Sequence, residues 1–233
     1  MSLPFCHSHK TVVVSLVTDY HSLVEMSRSG KKITAFLWKS SKAYAMIRIK
    51  RKGNNMRKAV LFIAMSLDGY IADKNGGVDW LTGQDSNAET DDSYAAFEQE
   101  IDTVVMGHTT YQQVTTELSP EKWVYENLQS YIITHKAYEP RHNIHFVSAN
   151  PCTLVKDLTR KSGKDIWICG GAGMIRQLMQ ENLIDRYHIS IIPTILGSGI
   201  SLFGTLPFEI KLRLVSVKNS NGITELVYEK RTF

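Results

Sequence analysis

The sequence predicts an α/β domain over residues 56–233: a mostly parallel sheet closed by an antiparallel C-terminal hairpin. Three observations predict it. Continuous apolar runs of strand length recur, as in Ala59–Met65 and Ile166–Cys169. Between them lie segments with apolar residues at helical spacing. Near the end, two strand-like segments flank the turn signal Asn219-Ser220-Asn221-Gly222. Apolar runs without alternation mark strands covered on both faces, and strand–helix alternation marks a parallel sheet.

In chain order, Ala59–Met65 (AVLFIAM) reads as a strand buried on both faces. Ser66–Asp73 reads as a loop, and Asn75-Gly76-Gly77 as a turn. Tyr94, Phe97 and Ile101 predict one helix, with the acids of 89–92 at its positive end. Thr103–Met106 reads as a short strand ending at Gly107, with a helix beginning near Thr109. Tyr131–Thr134 and Ile144–Val147 are further strands. Asn150-Pro151 is a helix start, Asn as N-cap and Pro in the first turn. Ile166–Cys169 is a strand running through Gly170-Gly171-Ala172-Gly173 into a helix that carries Met174, Ile175, Leu178 and Met179 on one face. Tyr187–Ile192 is a strand closed by Pro193, and Leu212–Lys218 with Ile223–Lys230 form the hairpin.

Composition narrows the class. With 43% apolar and 21% charged residues the chain is neither disordered nor fibrous, and no apolar stretch is long enough to cross a bilayer. Cys6, Cys152 and Cys169 form no CxxC pair, so neither a disulfide scaffold nor a zinc site is expected, and a cytoplasmic location is. Charge divides unevenly: residues 1–55 hold ten Lys/Arg against Asp19 and Glu25, whereas residues 56–233 hold 17 against 21 Asp/Glu. A basic arm can grip nucleic acid or an anionic membrane. The alternative comes from the genetic code. Arg51-Lys52-Gly53-Asn54-Asn55-Met56 back-translates, with allowed codons, to a purine-rich ribosome-binding sequence and a start codon. The expectation is that residues 1–55 are a basic, non-native extension, that Met56 starts the domain, and that neither nucleic acid nor membrane is a partner.

Chemistry concentrates where strands meet helices through glycine. In Ile166–Met174 the chain passes from a strand into a helix through bare backbone N–H groups, which a pyrophosphate can approach without meeting a Cβ. The competing reading is a tight turn that needs glycine only for its torsions. The spacing is not GxGxxG, and no Lys-Ser/Thr follows as in a P-loop. Val104–Tyr111 repeats the arrangement through Gly107, followed by His108, Thr109 and Thr110. Two such helix ends suit a ligand with two phosphates.

These segments resemble the dihydrofolate reductase superfamily: Phe62–Ala72 (FIAMSLDGYIA), Val105-Met106-Gly107 with Thr110-Tyr111, then Gly170–Gly173. Leu183-Ile184-Asp185 and Pro193–Gly199 (PTILGSG), with Leu202-Phe203, are more specific. They resemble the reductase domain of riboflavin-pathway deaminase-reductases in its stand-alone form; the deaminase signature H-x-E with P-C-x-x-C is absent. The resemblance implies helices on both faces of the sheet and an NADPH-dependent reductase of a small heterocyclic substrate. The named expectation is reduction of 5-amino-6-(5-phosphoribosylamino)uracil; dihydrofolate reduction and non-catalytic nucleotide binding are the alternatives.

Residue by residue, the resemblance puts Ala64 and Ile71 beside the nicotinamide, with Asn75–Gly77 in a loop over it. Gly107, His108, Thr109 and Thr110 would hold phosphate, as would Gly170, Gly171, Ala172, Gly173 and Met174. Thr134, His135 and Lys136 would lie near the adenosine ribose, where Lys136 favours a 2′-phosphate. His108 stands where the family commonly has Arg, and neutral imidazole is a weaker phosphate partner. Asp91 and Asp92 would supply the substrate carboxylate and proton, or are only helix-start charges. Trp80, Pro193, Gly197 and Gly199 fall at the substrate end; Trp80 could instead fill core, and the glycines could simply turn the chain. A homodimer is expected.

Overall fold

The computed structural model describes residues 56–85 and 93–231. The basic segment 1–55 and the acids Asp91 and Asp92 lie outside the described residues.

Strand β1 (Ala59–Ser66) takes the centre of an eight-stranded sheet, hydrogen-bonded to neighbours on both edges. Its alternate residues serve opposite cores: Ala59 and Leu61 face one, Val60 and Phe62 the other. That double burial is why its sequence is a continuous apolar run. The remaining strands are β2 (Tyr70–Ala72), β3 (Ile101–Gly107), β4 (Gln129–Ile133), β5 (Ile144–Val147), β6 (Asp165–Gly170), β7 (Arg186–Ile192), β8 (Ile200–Ser201), β9 (Leu212–Ser220) and β10 (Ile223–Lys230). The large sheet runs β5-β4-β3-β6-β1-β7-β10-β9. It is parallel from β5 to β7, and β10 and β9 complete it antiparallel. The expected α/β class and its C-terminal hairpin are therefore present.

Among the described residues four helices split between the two faces. Helix α1 (Ser93–Glu98) and helix α2 (His108–Gln113) pack Tyr94, Phe97 and Tyr111 against one face, with Val114 just past α2. Helix α3 (Pro151–Thr159) and helix α4 (Ala172–Gln180) pack Val155, Leu158, Ile175 and Leu178 against the other. Each fully buried aliphatic side chain contributes about 1.5–3 kcal/mol. An ion pair closes the start of the domain: the buried Arg57 guanidinium meets Asp102, donates to Thr103 Oγ1 at 2.6 Å, and through Nε to the Lys164 carbonyl at 2.5 Å.

Two expectations need correction. Ile101 does not share a helix with Tyr94 and Phe97: α1 ends at Glu98, and Ile101 opens β3 opposite Asp165 of β6. Either conformation buries Ile101, so apolar spacing did not discriminate between them. Ser66–Asp73 is not wholly loop, because Tyr70–Ala72 pairs with β8 in a second, two-stranded sheet. Helix α2 starts at His108, in agreement with the expected start near Thr109, and continues beyond Gln113 as a wide turn over Val114–Leu118, where the Ser119 amide donates to the Val114 carbonyl at 2.7 Å.

Candidate functional site

The chain leaves β3 toward one face of the sheet and leaves the adjacent β6 toward the other. Between the two departures a crevice opens at the C-terminal ends of the strands, the usual ligand position in an open α/β sheet. It widens into a cavity of about 1020 Å³ that continues past β1 to β7 and β10.

Both departures are glycine turns, and they touch. A Cβ built on Gly107 would lie 3.7 Å from the Gly171 nitrogen and 3.9 Å from the Gly170 carbonyl oxygen. Gly171 would bring its Cβ no nearer than 3.5 Å to Thr110 Oγ1, and Gly173 would meet nothing within 4 Å. These are ordinary contacts or open space. The torsions are equally permissive: Gly107 sits at φ −78° and Gly171 at φ −89°, both open to any residue. Only Gly170, at φ 153°, requires glycine for its backbone; the Gly170–Gly171 peptide is cis. The protein itself therefore has no need of glycine at 107, 171 or 173. What a side chain there would occupy is the cavity.

The helix ends tell the same story. Away from the cavity, α3 is capped: Asn150 Oδ1 accepts from the amides of Cys152 at 2.9 Å and Thr153 at 3.3 Å. At the cavity neither Gly107 nor Gly171 offers a side-chain cap, so the first N–H groups of α2 and α4 are left for another acceptor.

Ala64 and Ile71 line the cavity, as do Asn75, Gly76 and Gly77. That loop is tied down. Asp73 Oδ1 accepts from the amides of Asn75 at 2.6 Å and Gly77 at 2.9 Å, and Gln113 donates to the Gly76 carbonyl at 2.9 Å. Trp80 is not on the wall; its indole N–H braces the loop from behind through the Gly77 carbonyl at 3.2 Å. His108, Thr109, Thr110, Gly170, Gly171, Ala172, Gly173 and Met174 all line the cavity with Gly107. Beside them, Tyr138 meets His108 Nε2 at 2.5 Å, and burial with the Lys136 charge holds the imidazole below its ordinary pKa. Thr134 is buried, and its Oγ1 accepts from the Lys136 amide at 3.0 Å. Neither Thr134 nor the exposed Lys136 reaches the wall.

Pro193, Gly197 and Gly199 are also off the wall. The amides of Leu196 and Gly197 donate to the Asp68 carboxylate at 3.1 and 2.7 Å. A Cβ on Gly199 would fall 2.2 Å from the Ala72 carbonyl oxygen, so glycine is needed for β8 to approach β2. In this structure these glycines turn and pack the chain.

At the β10 end stands a carboxylate that the sequence reading did not single out. Glu225, 9% exposed, lines the cavity and accepts from Ser93 Oγ at 2.6 Å. His188 Nε2 lies 3.5 Å from its other oxygen. Burial pushes the Glu225 carboxyl up, but the His188 imidazole and Ser93 hydroxyl, with the Lys218 charge, outweigh it and hold the group below its ordinary value. The signal was the period of two, which puts Glu225 on the face of Ile223 and Val227, an acid among apolar neighbours. Tyr94, Tyr125, Trp167 and Cys169 floor this end, and burial pushes the Cys169 thiol up to about 12.

Fold and crevice together define an α/β domain with an open cavity across the β3–β6 split. The chain belongs to the RibD C-terminal domain family, whose model matches residues 57–224. It is 38% identical over 174 residues to the uncharacterized protein YwjB of Bacillus subtilis, covering 74% of this chain and 97% of the relative. Among solved structures it is similar to a candidate riboflavin biosynthesis protein from Shewanella sp. PV-4, with TM-score 0.65 and 28% identity over 75% of this chain and 99% of the other. It shares its fold with a diaminohydroxyphosphoribosylaminopyrimidine deaminase/5-amino-6-(5-phosphoribosylamino)uracil reductase from Thermotoga maritima, with TM-score 0.55 and 17% identity over 76% of this chain and 57% of that one.

Proposed function

We propose that the domain is an NADPH-dependent reductase of a small heterocyclic compound, and that its substrate is 5-amino-6-(5-phosphoribosylamino)uracil. The observation that carries the cofactor reading is the pair of adjoining, uncapped, glycine-led helix ends whose glycines the fold does not itself require. Backbone N–H groups at the positive ends of α2 and α4 suit a pyrophosphate, and the hydroxyls of Thr109 and Thr110 add donors. Membership of the RibD C-terminal domain family and the similarity to the candidate riboflavin biosynthesis protein from Shewanella support the substrate reading.

When bound, the nicotinamide supplies the hydride. The chain's own contribution is placement. Ala64 and Ile71 offer apolar contacts to a ring, and the tied loop Asn75–Gly77 shields it from water. Tyr138 and Lys136 beside His108 provide a hydroxyl and a positive charge for a ribose 2′-phosphate. The substrate end lies across β7 and β10, with Asp91 or Asp92 as the acid that completes the proton transfer. Among the described residues no helix is long and apolar enough to cross a membrane, and no His/Cys/Asp/Glu group is placed to hold a metal ion.

The test is a titration of NADPH by calorimetry, followed by turnover with 5-amino-6-(5-phosphoribosylamino)uracil and, separately, dihydrofolate. Tight NADPH binding with reduction of the ribosylaminouracil is the expected result. Reduction of dihydrofolate alone overturns the substrate, tight binding with no turnover of either leaves a nucleotide-binding domain, and absence of NADPH binding overturns the cofactor.

A further inference from the structure

Glu225 has no work to do in binding a dinucleotide at the β3–β6 split. It stands on β10 opposite Ser190 of β7, three strands beyond β6 and past β1 and β7, with both residues lining the same cavity. A carboxylate offers about four acceptor positions. Ser93 Oγ fills one at 2.6 Å, and His188 Nε2 stops at 3.5 Å, longer than a good N–H···O bond. Nearby, the Tyr94 hydroxyl is buried with no hydrogen-bond partner among the described residues, and Tyr94 lines the cavity as well. Glu225 shares the cavity wall with Trp167, Tyr125 and Ile223, and a buried carboxylate there needs donors to replace the water it has lost.

We propose that Glu225, held by Ser93 and flanked by His188, is the group that selects the substrate, accepting paired N–H donors from one edge of a planar heterocycle. The Tyr94 hydroxyl is then available to a carbonyl of the same ring. This rests on the reductase reading for the nature of the ligand, but not for the chemistry of the carboxylate.

The experiment titrates isocytosine, which carries N–H donors beside a carbonyl, and pyrimidine, which carries none, into the full chain. Tryptophan fluorescence follows binding, with and without saturating NADPH. Isocytosine should bind at least about tenfold tighter than pyrimidine, the scale of a charge-assisted hydrogen bond. Glu225→Gln should remove that preference, and Glu225→Asp, which keeps the charge but withdraws it, should reduce it about fivefold or more. NADPH affinity should stay within about twofold in both variants, since neither touches the glycine turns. Isocytosine and pyrimidine binding alike to the wild type, or either folded variant keeping the wild-type preference, overturns the proposal. Failure of NADPH to bind the wild type would instead overturn the cofactor reading, and the isocytosine titration without NADPH still decides the role of Glu225.

Discussion

Gly171 separates what the fold needs from what the ligand needs. Gly171→Ala adds a methyl whose nearest neighbour is Thr110 Oγ1 at 3.5 Å, at a φ of −89° that alanine adopts freely. Alanine is a poorer N-cap than glycine, which costs less than about 1 kcal/mol, and the stiffer unfolded chain returns about 0.4–1 kcal/mol. Stability should therefore move by no more than about 1 kcal/mol. Binding should not be spared. A methyl in the crevice displaces a pyrophosphate from at least one N–H group, and a hydrogen bond to a charged group is worth about 1.5–3 kcal/mol, or about 10- to 150-fold in Kd. Gly171→Asp adds a negative charge about 4 Å from the phosphate, a further penalty of about 4 kcal/mol at an effective dielectric constant of about 20. Gly170→Ala is the control. At φ 153° it should cost about 1–3 kcal/mol of stability. Urea denaturation and calorimetry with NADPH read the two quantities separately. If Gly171→Ala and Gly171→Asp both fold and bind NADPH like the wild type, the phosphate placement is wrong.

Arg57→Ala should cost about 2–3 kcal/mol in urea denaturation, the low side of a broken buried pair because the Asp102 side chain is 39% exposed; an unchanged midpoint contradicts the pairing. Burial raises the Glu229 carboxyl, but Lys58 and Arg186 outweigh it and hold it low, so its stabilisation is present above the ordinary carboxylate range and lost as pH falls through the lowered value. Glu229→Gln should thus lower Tm at neutral pH and flatten its fall in acid; parallel Tm–pH curves would show that the group contributes nothing. Asp91→Asn or Asp92→Asn should leave NADPH binding intact and lower reduction by about two to four orders of magnitude; wild-type turnover in both makes them helix-start charges only. Strand β9 is a sheet edge that exposes Leu214, Val215 and Val217, so the expected homodimer should form there. Light scattering should show a wild-type dimer and a Leu214→Lys/Val217→Lys monomer, and a monomeric wild type refutes this.

Most of the sheet was legible because strands buried on both faces leave an unmistakable apolar run, and because Asn150-Pro151 and Asn221-Gly222 state their turns in residue type. Asn221 and Gly222 indeed both have positive φ, 50° and 76°. The glycine turns were legible as motifs, but their meaning was not. Whether Gly171 serves torsion or ligand depends on φ and on the space around a Cβ, neither of which a sequence contains. Ile101 was misplaced because helix and strand bury it equally. Glu225 was passed over because its partners, Ser93 and His188, are 132 and 37 positions away, and only the packing of α1 on the sheet and the β7–β10 pairing bring them to it. Gly199 looked like a ligand position, yet the reason for it is the Ala72 carbonyl 2.2 Å from any Cβ it could carry.

A crystal structure of the domain grown with NADPH is the decisive measurement. The pyrophosphate should lie between the N-termini of α2 and α4, against the amides of Gly171–Gly173 and of His108–Thr109, with the nicotinamide beside Ala64 and Ile71 and its reactive face toward Glu225. A dinucleotide bound elsewhere, or phosphates held by side chains away from both glycine turns, would contradict this placement.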